Sequence, residues 1–399
     1  MSLSVAFIAP RLPLGGAVGG AETLLLNLAR LAHAAGLDAT FLTTCAKSHV
    51  SWENDAPPGE LDVDGLRAIR FPVDERRDVE GFLRVQEAIS AGWPVTDEQE
   101  DAWMRGGVNS AAMEAHLRGP GGARYDRVVA GPYLFGLTDM ASRAAGDRFV
   151  LLPCLHDEPF ARMRRVGKVF AAARSFLFNT EPERQLAARL FPEVFGAGGA
   201  PSRPAAVVGF AMPEPEGPVP PLPAVLEGVG PYILYSGRRE PLKGTPLLLD
   251  YWAAFRTLAG RDVKLVLTGS GPVDVPSGMA SHLIDLGYVT EEEKRAVMAR
   301  AVAFCHPSVN ESLGIVLLEA WQNGTPCLVH ASGEVLRHQC RAAQGGLWFR
   351  DYPEFAECLE FLLDHPETAR RLGGNGREFV RRNYSPDVVT RRLLQALAG

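Results

Sequence analysis

The chain has 399 residues, 46% of them hydrophobic and 22% charged, with 41 Gly and 30 Pro, a globular composition long enough for two or three domains. A net charge of −6 and a pI near 5.9 exclude a general nucleic-acid binder, which carries a basic excess. Cys45, Cys154, Cys305, Cys327, Cys340 and Cys358 form no CxxC pair, so neither a zinc site nor a disulfide framework is expected, and the pattern fits a reducing, cytoplasmic setting.

The N-terminal "MSLSVAFIAP" lacks the basic residues and apolar length of a signal peptide. No apolar run approaches the ~20 residues of a membrane-spanning helix. "SVAFIAP" reads as a strand, followed by a loop with Gly15, Gly16, Gly19 and Gly20. The helix "ETLLLNLARLAHAAG" comes next, with Leu24, Leu28 and Leu31 at helical spacing and Gly36 as its stop. The loop has neither the Lys-Ser/Thr of a P-loop nor a GxGxxG pattern, but it opens onto a helix N-terminus and suits an anion. After the strand "DATFLTT", "LDVDGLRAI" places Asp62 and Asp64 in a DxD arrangement. Gly65 makes this a hairpin turn, and no metal site is predicted. The region from residue 47 to 124 otherwise matches no recognisable pattern.

"RAIRFPV", "DRVVAGPY", "RFVLLPCLH" and "SFLFNT" are further predicted strands, with a helix over "EPFARMRRVGKVFAAA". His156, Asp157 and Glu158 follow the third of these. His156 is a candidate to orient a hydroxyl, and Asp157 and Glu158 to bind an acceptor; a structural hydrogen bond or helix cap is the alternative. From residue 197 to 225 the chain is rich in Pro, Gly and Ala, as between folding units. A second alternating series follows: "PYILYSG", "DVKLVLTGSG", "HLIDLGYV", "AVAFCHPS", "TPCLVHAS" and "GGLWF". Two βα blocks of this kind predict two doubly wound domains facing one cleft.

In "YILYSGRREPLKG", Gly237 ends a strand, and Arg238, Arg239 and Lys243 occupy the loop before Gly244. Cations fixed at the C-terminal end of a parallel strand suit phosphoryl oxygens, although a solvated basic loop would look the same. In "HPSVNESLGIVLLEAWQNGTP", Glu311 and Glu319 bracket an aliphatic run. Asn310 or Ser312 is expected to cap a helix starting near Leu313, leaving the amides of Leu313, Gly314 and Ile315 for a diphosphate. Glu319 would then need hydroxyl donors such as a ribose diol, unless it lies on the wet edge of an amphipathic helix.

Together these segments resemble the retaining family-4 glycosyltransferases (glycosyl transferases group 1) of the GT-B fold. "GGAET", "LHDEP", "VVGFAMP", "GRREPLKG", "LTGSGP" and the Glu-x7-Glu block "NESLGIVLLEAWQNGTP" carry the likeness, in order, over most of the chain. The resemblance implies an α/β architecture of two Rossmann-like domains: residues 1–205 on the acceptor side and 206–380 binding the nucleotide sugar. Residues 381–399 would form a helix crossing back to the first domain. It also implies transfer of a sugar from a nucleotide-diphosphate sugar to a hydroxyl acceptor (glycan, glycolipid or small molecule). The anomeric configuration would be retained, with no metal and no cofactor beyond the donor substrate.

Carried over residue by residue, Glu311 would meet the donor sugar's hydroxyls. The Ser312, Leu313, Gly314 and Ile315 amides would hold the diphosphate, and Glu319 the ribose. Arg238 and Lys243 would neutralise the leaving group, with Gly19 and Gly20 approaching it from the first domain. Gly237, Gly269 and Val289 would line the donor site at strand ends, with base contacts from Gly287 to Val289. His156 would lie against the sugar. Leu313 stands where the family has Phe, and Ser312 where it has Gly. A nucleotide-sugar-binding protein without turnover, or an epimerase or phosphorylase of the same fold, is the alternative. No pyridoxal-binding Lys is evident for the phosphorylase. The basic run Arg162, Arg164, Arg165 and Lys168 offers a peripheral membrane contact. The pattern selects no donor base, acceptor, linkage or oligomeric state.

Overall fold

The computed structural model describes residues 3–13, 19–49, 51–75, 78–196 and 203–399. The chain divides into two units, Met1–Ala211 with Pro386–Gly399, and Met212–Ser385.

The strands of the first unit are β1 (Ser4–Ile8), β2 (Asp38–Thr44), β3 (Gly59–Val63), β4 (Leu66–Phe71), β5 (Arg127–Ala130), β6 (Phe149–Leu151), β7 (Ser175–Phe178) and β8 (Ala205–Val207). They form one sheet in the order β3-β4-β2-β1-β5-β6-β7-β8. Every neighbouring pair is parallel except β3–β4. Parallel strands are covered on both faces, which is why β1, β5 and β7 read as near-continuous apolar runs and are buried. The β3–β4 pair is the expected hairpin. Asp64 and Gly65 take positive φ (54° and 84°), and the Asp62 carboxylate accepts the Gly65 N–H at 3.0 Å. Asp64 pairs with Arg30, so both aspartates of the DxD serve the turn and its flank.

The helix Gly20–Ala34 follows β1 and buries Leu24 and Leu28. Gly15 and Gly16 lie outside the described residues. The unassigned stretch after residue 47 supplies the hairpin and the helices Val79–Ser90, Asp97–Gly106 and Ala111–Arg118, with Asp78, Thr96 and Ser110 as N-caps. The single helix predicted over 158–173 is instead a 3₁₀ turn, Pro159–Arg162, and a helix, Arg164–Ala172. They are parted at Met163, whose extended backbone (ψ 138°) cannot continue a helix.

The second unit contains β9 (Tyr232–Ser236), β10 (Lys264–Thr268), β11 (Leu283–Asp285), β12 (Ala303–His306), β13 (Cys327–His330) and β14 (Gly346–Phe349). All pair in parallel, in the order β11-β10-β9-β12-β13-β14. The winding reverses between β9 and β12, and a doubly wound sheet offers its ligand crevice beyond the carboxyl ends of the strands at such a point.

Both predicted boundaries move. Residue 205 opens β8, which pairs with β7, and the Val208 N–H still bonds the Phe178 carbonyl at 2.8 Å, so the first unit runs to Ala211. Residue 380 falls inside the continuous helix Pro366–Tyr384 with Val380 buried, so the second unit runs to Ser385. The helix Pro386–Ala398 belongs to the first unit and buries Val389, Leu393 and Leu397.

Glu183, in the helix Glu181–Leu190, is fully buried. Its two carboxylate oxygens accept the N–H groups of Leu155 (2.7 Å) and Asn179 (2.6 Å), tying the ends of β6 and β7 together. Burial pushes this carboxyl up to about 8 from 4.5, against the opposing pull of the amides of Asn179, Leu155 and Thr180. The folded chain therefore keeps a proton that the unfolded chain releases, so this contribution is full below pH 4.5 and is lost as pH rises through about 8. Chemical denaturation across that range should show a stability decline in the natural chain that Glu183→Gln removes. Glu183→Ala, which strands two buried amides, should cost about 2–4 kcal/mol at neutral pH.

Candidate functional site

The loops that follow β9 and β12 meet at the reversal point of the second sheet. After β9 the chain turns at Gly237 (φ 141°), and buried Tyr235 donates its hydroxyl to the Arg238 carbonyl at 2.6 Å. The 3₁₀ turn Pro241–Lys243 and Gly244 (φ 73°) follow. A Cβ on Gly244 would lie 2.9 Å from the Pro307 carbonyl oxygen, so the two loops pack backbone to backbone. Gly269, after β10, is in the same position. Its φ is 106°, a Cβ there would sit 2.2 Å from the Gly237 carbonyl oxygen, and its N–H bonds the Gly287 carbonyl at 2.7 Å.

The three loop cations have different employment. Arg239 is buried and bonds Asp285 at 2.9 Å, with a second, shorter contact to the same carboxylate, and the Gly271 carbonyl at 2.8 Å. It clips the loops of β9, β10 and β11 together. Arg238 is half-exposed and meets Glu240 at 3.1 Å. Lys243 reaches across to β12's loop, where its Nζ lies 2.6 Å from Glu311 Oε1.

Glu311 is largely buried, its side chain 13% exposed. Burial alone would raise its pKa. The Lys243 ammonium and the His306 ring outweigh that and hold the carboxyl well below the usual carboxylate range. His306, the last residue of β12, reads in the sequence as part of an apolar strand and carries no motif of its own. Its Nε2 is 3.3 Å from the same Glu311 oxygen, off-line for a good hydrogen bond, and both ring nitrogens are buried without a hydrogen-bond partner in the described structure.

The helix beyond this loop is Ile315–Gln322, and it begins later than expected. Gly314 is its N-cap, in the left-handed region (φ 77°, ψ 63°), in place of the expected Asn310 or Ser312. A Cβ at Gly314 would meet Leu336 Cδ2 at 2.5 Å, so the turn is pressed against the helix Glu334–Ala343. Leu313 is buried and its carbonyl is taken by Gln339. The amides at the start of an α-helix have no intrahelical acceptor, which leaves those of Gly314, Ile315 and Val316 for an anion. The amide set is thus shifted one residue from the predicted Leu313–Ile315, because only glycine takes the left-handed turn cheaply.

Glu319 lies on this helix with its side chain 20% exposed. Lys294, from the helix Glu291–Met298, bonds its Oε1 at 2.9 Å. Burial raises the Glu319 pKa, Lys294 opposes this, and Glu291 adds to it. Its Oε2 is buried with no hydrogen-bond partner in the described structure. Lys294 has no motif to mark it, since its partner is contributed by another element. Ser312 is buried, and Val289 is half-buried beside exposed Tyr288.

In the first unit, Gly19 is the N-cap of Gly20–Ala34, and a Cβ there would lie 2.5 Å from Glu22 Oε2. Glu22 is held by Arg11 (Nε to Oε1, 2.9 Å), both buried, a pair that no local sequence pattern marks. His156 Nδ1 lies 3.5 Å from Glu158 Oε1, which accepts the Tyr133 hydroxyl at 2.7 Å. Burial and the neighbouring Glu158 keep that phenol well above its usual pKa, so it remains a donor. Asp157 is paired with Arg162 at 2.6 Å. Two further arginines of the basic run are also matched. Arg164 pairs with Asp97, and Arg165 with Asp139 (2.8 Å) and Asp101 (3.3 Å). Among the described residues no helix is long and apolar enough to cross a membrane, and no group of three or more His, Cys, Asp or Glu is placed to hold a metal.

The depressed Glu311 pKa sets a sign for acid sensitivity. Its contribution is present above 4.5, the unfolded value, and is lost as pH falls below it. Lys243→Met should cost about 3 kcal/mol at neutral pH by leaving a largely buried carboxylate unmatched, and should flatten the acid limb of stability, because the Glu311 carboxyl is no longer held below its unfolded value. Adding Glu311→Gln should recover part of the loss in denaturant titrations.

The sequence pattern of glycosyl transferases group 1 matches residues 225–379. Phosphatidyl-myo-inositol mannosyltransferase of Mycobacterium leprae is 32% identical over 175 residues, covering 42% of this chain and 46% of that protein. The chain thus spans about half the length of the curated relatives it matches. Sucrose-phosphate synthase from Thermosynechococcus elongatus superposes with a TM-score of 0.69 at 17% identity, covering 98% of each chain. Anabaena Alr3699/HepE, solved in complex with UDP and glucose, gives 0.64 at 14% identity, covering 99% of each. Residues 225–379 thus carry the pattern of glycosyl transferases group 1, within a chain whose two Rossmann-like units have the GT-B fold.

Proposed function

We propose that the chain transfers a sugar from a nucleoside diphosphate sugar to a hydroxyl acceptor, with retention of anomeric configuration and without a metal ion. The observation that carries this reading is the arrangement after β12: two largely buried carboxylates, each matched by a lysine from another loop or helix, on either side of an open turn of amides. A diphosphate fits the Gly314–Val316 amides and the positive helix end. The unpartnered Glu319 Oε2 suits a ribose hydroxyl, the kind of donor a buried carboxylate oxygen lacks here. Glu311, kept ionised, accepts from sugar hydroxyls. The Lys243 ammonium has three N–H donors, so it can hold Glu311 and a phosphoryl oxygen together. The solved Anabaena neighbour, with its UDP and glucose, supports the same ligand class.

In the proposed reaction the bond from the anomeric carbon to the β-phosphate oxygen breaks, and the acceptor oxygen attacks the same face. The acceptor proton passes to the departing phosphate. Arg238, Lys243 and the amide turn stabilise the charge that develops there. In the first unit, His156 and Glu158 are proposed to orient the acceptor side, with Tyr133 fixing the carboxylate. The pairing of Arg162, Arg164 and Arg165 with aspartates favours a helix-stabilising role for the basic run over membrane docking.

Thermal-shift titration with UDP, GDP, ADP and TDP sugars tests the donor class: a ligand at 100 times its Kd adds about 2.7 kcal/mol of stability. Glu319→Ala should weaken nucleotide binding roughly tenfold, the loss of one buried charged hydrogen bond. Glu311→Ala should depress turnover with little change in nucleoside diphosphate affinity. Absence of stabilisation by every donor, or wild-type rates in both variants, would overturn the reading.

A further inference from the structure

The open amide turn is braced from behind by a chain of buried groups that the reaction itself does not need. Leu313 precedes Gly314, and its carbonyl accepts the side-chain amide of Gln339. Gln339 is 2% exposed and lies on the helix Glu334–Ala343, one turn from Leu336, against which Gly314 is pressed. Its other amide atom, Oε1, accepts the hydroxyl of Tyr384 at 3.2 Å. Tyr384 is buried, ends the helix Pro366–Tyr384, and through its carbonyl accepts the Met212 N–H at 2.7 Å. Met212 and Ser385 are the end residues of the second unit. The two chain crossings are therefore joined to each other at Tyr384, and Tyr384 is joined to the amide turn by one side chain.

We propose that Gln339 and Tyr384 are positioning residues that set the Gly314–Val316 amides and couple them to the crossing segments. The physical reason lies in Gly314. A left-handed glycine has the widest backbone freedom in the chain, so the direction of the amides after it must be fixed by something else. Leu336 blocks one side by contact, and Gln339 fixes the Leu313 carbonyl, hence the plane of the peptide that enters Gly314. A buried amide bonded at both its nitrogen and its oxygen is a strong anchor because breaking either bond leaves a polar group without a partner. An apolar side chain of similar size at 339 would fill the same space but leave the peptide free to turn. The coupling follows from the same bonds. Movement of the crossing that displaces Tyr384 releases Gln339, and an anion that orders the amide turn favours the arrangement in which Tyr384 holds both ends.

The diphosphate assignment rests on the proposed function, whereas the bracing is a property of the ligand-free chain, and the test separates them. Hydrogen–deuterium exchange of the full chain without ligand reads the Leu317 and Leu318 amides, which bond the Gly314 carbonyl, and the Met212 amide, which bonds the Tyr384 carbonyl, in wild type, Tyr384→Phe and Gln339→Met. Tyr384→Phe keeps the ring and removes one hydroxyl. Both variants should exchange about fivefold faster or more in both segments, the change expected from one lost buried hydrogen bond, while β9 and β12 remain as protected as in wild type. Acceleration restricted to the neighbourhood of the substituted residue would overturn the proposal, and so would unchanged exchange. With UDP or GDP as probe, the variants should lose about fivefold in affinity for the diphosphate and little for the bare nucleoside. Coupled exchange in a chain that binds no nucleoside diphosphate would leave the positioning role standing and sink the functional reading instead.

Discussion

Much of the second unit is arranged around the need to match a carboxylate taken out of water. Glu311 and Glu319 sit at and beyond the carboxyl end of β12, where packing removes most of their solvent. Each is matched by an ammonium group brought from a different element, Lys243 after β9 and Lys294 from Glu291–Met298. Such pairs add little net stability, because desolvation offsets attraction. Their effect is to fix where charge lies. One carboxyl is held ionised and the other is raised, although both are glutamates on the same short segment.

The sheet order supplies the space for this arrangement. With β9 and β12 adjacent and their connections leaving on opposite sides, the loops after them diverge from the sheet at the reversal point. Gly244 and Gly269 let neighbouring backbones approach to distances a Cβ would block, and Gly314 lies against the Leu336 side chain. Arg239 is committed to the same packing. Buried and bonded to Asp285, it closes the loops on one another and is not available to a ligand in the way half-exposed Arg238 is. Adjacent arginines in one loop thus have opposite roles, decided by which of them the chain turns inward.

The first unit follows the same logic on a smaller scale. Glu183 and Glu22 are both buried acids, yet one is satisfied by backbone amides and the other by Arg11. The amide-bound carboxyl is raised to about 8, because burial exceeds what the neutral dipoles return. Both stand behind segments whose residue pattern suggests function, Glu183 behind His156 and Glu22 against Gly19.

The amino-acid pattern alone determined the βα alternation, the hairpin at Asp64–Gly65, and the segments that carry Glu311, Glu319, Lys243 and His156. These are legible because period, turn residues and motif spacing are local along the chain. Tertiary structure decided what each group touches. His306, Lys294, Tyr133, Gln339 and Tyr384 gain their roles from partners supplied by other elements, and nothing in their own neighbourhoods marks them. It also placed the helix start at Ile315 and the unit boundaries at Ala211 and Ser385. A cap and a boundary are settled by which packing competes best for the same few residues. Contact between distant segments resolves that competition, and composition does not record it.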